Sequence, residues 1–167
     1  MTTGNGNQIT EYTYDQLNRP LSIKEPLLQS ETYRYDQNGD MFKTDRNGNQ
    51  FKTTYNAYNQ PLETNVVGKN EKLTYTYTVT GLLESEANES FKTTNTYDEA
   101  GNLITQVDSD WTEKVYDYDI AGNRISFTLK QNNQQKMVTT YQYDRLNRLE
   151  KVFENGAPKA IATYTYD

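Results

Sequence analysis

An all-β fold of tandem β-hairpins, joined as an antiparallel meander, is what this 167-residue sequence predicts. Three observations carry it. A Tyr-x-Tyr-Asp motif recurs along the chain, the residues leading into each copy alternate with period two, and a residue tolerant of positive φ follows each motif at a fixed offset. Self-similarity at a period of about 20 residues marks an array, each unit of which covers its apolar surface only against its neighbours.

The motif is complete at Tyr12-Thr13-Tyr14-Asp15, Tyr33-Arg34-Tyr35-Asp36, Tyr116-Asp117-Tyr118-Asp119, Tyr141-Gln142-Tyr143-Asp144 and Tyr164-Thr165-Tyr166-Asp167. It is degenerate at Tyr55-Asn56, Tyr77-Thr78 and Tyr97-Asp98. Its second tyrosine is present in every copy, at Tyr14, Tyr35, Tyr55, Tyr77, Tyr97, Tyr118, Tyr143 and Tyr166. Threonine alternates with these tyrosines, as in Thr74-Tyr75-Thr76-Tyr77 and Thr163-Tyr164-Thr165-Tyr166. Both residue types suit strands, and period two predicts a first strand with an aromatic face and a hydroxyl face.

A tight turn follows. Three residues past the aspartate site stand Asn18, Gly39, Asn59, Gly81, Gly101, Gly122 and Asn147, the residue types that accept positive φ at least cost. A type I turn closed by a left-handed residue explains that choice. The aspartate at the head of such a turn accepts a bond from the backbone N–H two residues on, so the repeated Asp15, Asp36, Asp98, Asp119, Asp144 and Asp167 are read as turn formers. A second strand leaves the turn at 21–23, 62–66, 103–107, 125–129 and 149–153. Return turns are expected at 45–48, 67–70, 108–110, 131–133 and 155–156, all rich in Asn, Asp or Gly.

Residues 1–8 are expected to form a flexible leader, and 9–167 an array of about eight copies cut from a longer protein. Two strands per copy would give about sixteen. An open twisted sheet of more than about ten strands curls, so a curved or spiralling strip is expected. Its end strands, near Ile9 to Tyr14 and Ala160 to Tyr166, carry a pattern suited to edge-to-edge self-association.

Leu, Ile, Val and Phe make up only 30 residues, but net charge is only −6 and there are 15 tyrosines. That excludes a charge-expanded disordered chain and makes tyrosine the expected source of buried area. Cysteine and histidine are both absent, which removes disulfides, the usual zinc sites and every nucleophile–histidine pair. No cofactor, metal or catalytic activity is expected. The 17 basic residues are scattered, so nucleic acid is not an expected partner, and no apolar run of about 18 residues forms a helical membrane span.

The run Tyr116 to Arg124, Tyr-x-Tyr-Asp-x-x-Gly-Asn-Arg, and its variant Tyr141 to Leu149 closely resemble the YD repeat of the RHS family. That family spans bacterial rearrangement-hotspot proteins, wall-associated proteins, C components of insecticidal toxin complexes and animal teneurins. The resemblance covers nearly the whole chain from about residue 9. It implies a β-sheet spiralling into a hollow shell, neighbouring repeats as partners, and in bacteria an enclosed C-terminal toxin polypeptide within a secreted or surface-associated parent. The family's autoproteolytic segment and variable toxic C-terminus have no counterpart in this sequence. Copies three to five are also worn, with Thr53 and Asn95 in place of the first tyrosine and Asn56 and Thr78 in place of the aspartate.

Two loops, Asp36 to Asp40 and Asp45 to Asn49, have a calcium-loop composition, but from Asp36 the glycine falls at the fourth position rather than the sixth, so plain turns are the better reading. Asp108, Asp110, Asp117 and Asp119 are expected to divide between a turn and the polar face. The rival to a structural role is a cell-wall carbohydrate-binding module, in which tyrosine rings stack on sugars beside Asn and Gln amides. Such modules lean on tryptophan, and this chain has only Trp111.

Overall fold

The computed structural model describes residues 9–26 and 30–167, so the expected leader at 1–8 lies outside the described residues. Among the described residues there are fifteen strands and no helix, and the strands pair antiparallel in chain order as an open meander. The described strands end with the first strand of copy eight, hence fifteen and not sixteen.

The chain divides into two compact units, Met1–Tyr75 and Thr76–Asp167. The first holds β1 (Glu11–Tyr14), β2 (Pro20–Lys24), β3 (Glu31–Tyr35), β4 (Met41–Thr44), β5 (Gln50–Tyr55), β6 (Pro61–Val66) and the start of β7 (Lys72–Tyr77). The second holds β8 (Leu83–Ala87), β9 (Lys92–Tyr97), β10 (Leu103–Asp108), β11 (Thr112–Tyr118), β12 (Arg124–Gln131), β13 (Gln134–Tyr143), β14 (Leu149–Glu154) and β15 (Ala162–Thr163). Every odd-numbered strand carries a motif tyrosine or leads directly to one. Two even-numbered strands, β4 and β8, fall where no strand pattern was legible. Met-Phe-Lys-Thr and Leu-Glu-Ser-Glu-Ala contain only one β-branched residue between them, so pairing with neighbours rather than propensity makes them strands.

The first turn is built alike in all seven copies. Asn18, Gly39, Asn59, Gly81, Gly101, Gly122 and Asn147 all have positive φ, between 59° and 88°. In copy six the Gly122 N–H bonds the Asp119 carbonyl at 3.0 Å and the Asp119 N–H bonds the Asn123 carbonyl at 2.9 Å. This is a type I turn closed by a left-handed residue, the three-residue hairpin connection with a glycine bulge. The hairpin register then slips once more, just past the turn, in β1–β2, β5–β6, β9–β10, β11–β12 and β13–β14.

Cross-strand register separates the two faces. On the hydroxyl face Thr13 meets Ser22 at 2.7 Å, Thr76 meets Ser85 at 2.8 Å, Thr96 meets Thr105 at 2.6 Å, and Asp117 accepts from Ser126 at 2.8 Å. Each pair joins the residue two before the aspartate site to the residue seven after it. On the other face the tyrosines alternate with polar substitutes: Thr53 bonds Thr64, and Asn95 bonds both Gln106 and the Leu83 carbonyl.

Among the described residues no hydrophobic side chain is fully buried, and the buried ones are Thr53, Ser85, Thr93, Asn95 and Thr139. Tyrosine burial is partial. A single sheet layer supplies contact only from lateral neighbours, whereas a closed core needs a second packed layer.

Candidate functional site

The feature repeated from copy to copy is a clasp, and the sheet register creates it. In copy five the Asp98 N–H bonds the Asn102 carbonyl, so the Tyr97–Leu103 pair beyond it is non-hydrogen-bonded. The Leu103 carbonyl therefore faces outward, toward β11. The β10–β11 ladder ends at Val115, three residues before Tyr118, and leaves that carbonyl without a ladder donor. The Tyr118 hydroxyl donates to it at 3.0 Å. A polar backbone group left outside a ladder needs such a partner.

The same construction recurs. Tyr35 donates to Pro20 O at 3.1 Å, Tyr97 to Leu83 O at 2.7 Å, Tyr143 to Arg124 O at 2.9 Å and Tyr166 to Leu149 O at 2.7 Å. In each case the acceptor lies five residues past the previous copy's aspartate site, and the ladder stops three residues before the tyrosine. Copy two departs from the pattern in a revealing way. Its hairpin lacks the extra slip, the next ladder reaches Met41–Thr53, and the Tyr55 hydroxyl faces only Met41 Sδ at 4.0 Å. With the Met41 carbonyl taken up by the ladder, the clasp has nothing to accept it.

The turn aspartates serve the same framework. Asp119 Oδ1 accepts from the Ala121 and Asn123 N–H groups, both at 2.9 Å, and Oδ2 accepts from Asn123 Nδ2 at 3.0 Å. Asp15, Asp98 and Asp144 hold the fourth residue on in the same way, through Arg19, Asn102 and Arg148. Asp36 accepts from Asn38 and Asp40, and Asp45 from Asn47 and Asn49, so both loops considered for calcium are turns whose carboxylates face their own amides. The worn copies keep the geometry with Asn56 Oδ1 and Thr78 Oγ1 as acceptors.

These bonds pull the Asp15, Asp98, Asp119 and Asp144 carboxyls below the usual carboxylate range. The leading cause is the Arg19 or Arg148 backbone N–H for Asp15 and Asp144, and the Asn102 or Asn123 side chain for Asp98 and Asp119. Burial moves the Tyr35, Tyr118 and Tyr143 phenols upward and keeps them protonated donors. Arg19 and Arg148 link the turn to the clasp. Each ion-pairs with its turn aspartate, at 2.7 and 2.8 Å, and stacks over the next copy's motif tyrosine, Tyr35 at 4.1 Å and Tyr166 at 4.4 Å.

Tyr14 is exposed on β1, Tyr77 closes β7, and Asp167 is exposed. Asp108 accepts from Thr93 and pairs with Lys114, Asp110 holds the Thr112 N–H, Asp117 lies on the hydroxyl face and Asp119 heads its turn, so the four carboxylates do not converge. Among the described residues no group of three His, Cys, Asp or Glu side chains could hold a metal ion. The clasp is not legible from spacing alone, because its acceptor is a main-chain carbonyl fixed only by register. The signal that could have found it is the invariance of the second tyrosine while the first is replaced by Thr53 and Asn95.

Solved structures share this fold. The Tc holotoxin pore of Photorhabdus luminescens with a mutated TccC3 superposes with a TM-score of 0.66 at 20% identity, over 87% of this chain and 9% of that one. TcdB2-TccC3 without its hypervariable C-terminal region gives 0.68 at 21% identity, over 95% of this chain and 9% of that one. The chain thus spans under a tenth of either relative. No curated protein matches the sequence. The family described as Teneurin YD-shell matches residues 1–127, three quarters of the chain and six of its eight tyrosine motifs. With turn, clasp and meander repeated across that span, the chain belongs to the Teneurin YD-shell family.

Proposed function

We propose that this chain is a non-enzymatic wall segment of a YD shell that encloses a C-terminal toxin or effector polypeptide within a secreted or surface-associated bacterial protein. The observation that carries this reading is how the recurrent polar groups are used. Turn carboxylates are spent on turn amides, and the motif hydroxyls of five copies are spent on main-chain carbonyls. Groups committed in this way stabilise a wall and are withdrawn from substrate. The wall-glycan alternative has less support, because a sugar would have to compete with those carbonyls for the same hydroxyls.

A sheet with no fully buried apolar side chain among the described residues suits a wall whose faces are completed by other parts of a longer protein. The test is protease protection of the full-length gene product. A C-terminal polypeptide that resists digestion in the intact protein, and becomes cleavable when Tyr97, Tyr118 and Tyr143 are changed together to phenylalanine, supports enclosure. A C-terminal polypeptide digested equally fast in both proteins, or turnover of polysaccharide or RNA by residues 1–167 alone, defeats the reading.

A further inference from the structure

Trp111 is the chain's only tryptophan, and it stands at a return turn with 70% of its surface exposed. Its backbone is left-handed, φ 63°, and its N–H bonds the Asp108 carbonyl at 3.0 Å. Every other described residue with positive φ is asparagine or glycine. A bulky residue in that conformation is strained, and strain kept at an exposed position points from the outlier to a use for the side chain. The neighbouring turns fix its setting. Ser109 bonds Lys92 through both its N–H and its hydroxyl, next to the half-exposed Phe91, and the Asn132 N–H bonds the Trp111 carbonyl.

Charge and stacking habit define the occupant. Residues 88–91, 109–111 and 132–133, which form these three turns, carry Glu89 and Asp110, and of the residues directly flanking them Asp108 is acidic and Lys92 is basic. The Thr112 N–H bound to Asp110 holds that carboxyl below its usual range. Elsewhere the fold stacks guanidinium groups on aromatic rings, Arg19 on Tyr35, Arg34 on Phe42, Arg124 on Tyr141 and Arg148 on Tyr166, all within 4.8 Å. The nearby Lys114 and Lys130 are paired with Asp108 and Glu113, and among the described residues no cation covers Trp111. We propose that Trp111 is a docking anchor for an arginine-bearing polypeptide segment, its indole stacking on the guanidinium, Asp110 supplying the counter-charge and Phe91 flanking the contact.

The test uses the full 167-residue chain and a fluorescently labelled Gly-Arg-Gly-Arg-Gly peptide, with a citrulline peptide of the same shape and no positive charge. Anisotropy should saturate with the arginine peptide at low salt, and roughly fivefold less tightly with citrulline. Trp111→Gly should abolish binding without lowering the thermal midpoint, because glycine accepts the turn's backbone. Trp111→Asn, matching the other turns, should behave likewise. Unchanged binding in either variant, or equal binding of the two peptides, overturns the proposal. So does Trp111 emission that ignores the arginine peptide and responds instead to an oligosaccharide or to chain concentration, the latter marking a second copy as the occupant.

Discussion

Removing one hydroxyl tests the clasp. In Tyr118→Phe the ring keeps its packing while the Leu103 carbonyl loses a donor at 3.0 Å, at an outward-facing position where the β10–β11 ladder has already ended. A typical intramolecular hydrogen bond contributes about 0.5–1.5 kcal/mol net, and a fully buried orphan carbonyl costs more. Both residues are only half-buried, so water partly replaces the donor and the expected loss is about 1 kcal/mol. For a chain of this size that lowers the midpoint by about 2–4 °C. Tyr55→Phe supplies the internal comparison, since its hydroxyl meets only Met41 Sδ at 4.0 Å, and it should cost less than about 0.5 kcal/mol. Urea denaturation measures the totals, and hydrogen exchange on the β10 and β11 amides locates the effect. Equal losses in the two variants, or no loss in Tyr118→Phe, would refute the register argument behind the clasp.

Backbone strain at the turns is tested at Gly122, where φ is 83° and an added Cβ would meet nothing within 4 Å. Gly122→Val should therefore cost about 1–2 kcal/mol through the backbone alone, while Gly122→Asn should be mild; equal stability of the two contradicts the turn assignment. Asn95→Leu removes the partner of the Gln106 amide at a buried position and should cost about 1–3 kcal/mol, read by chemical denaturation; a stabilised variant would show that the polar substitute is not needed. The pH dependence has two signs. The turn aspartates have folded values below the ordinary 3.8, so their contribution is complete above that value and is lost as pH falls through the lower folded values. Tyr33, pushed up to about 12 by burial and then by Glu31, contributes fully below its ordinary 10.0 and loses that contribution as pH rises toward 12. Denaturation midpoints that stay flat across both windows would contradict these assignments.

Chemistry local in sequence was readable and chemistry set by register was not. Turn positions such as Asn18 and Gly101 announce themselves because positive φ restricts the residue choice wherever it occurs. Strand pairing across the turn follows from Tyr/Thr alternation. By contrast β4 and β8 lack β-branched alternation, and only their neighbours identify them. The expectation that tyrosine supplies most burial met a physical limit, because one sheet layer leaves even Tyr118 and Tyr143 half-covered. The clasp carbonyls at Leu103 and Arg124 were invisible for another reason. A main-chain acceptor leaves no mark in composition, and its outward orientation depends on where the hairpin slips by one residue.

Cryo-electron microscopy of the full-length gene product tests the shell reading most directly. The expected map shows residues 9–167 as part of a closed β-wall, with clasp tyrosines on carbonyls of the preceding copies and polypeptide density enclosed by the wall. A map in which these strands form an open sheet with both faces in solvent, and the C-terminal polypeptide folded outside it, would contradict that reading.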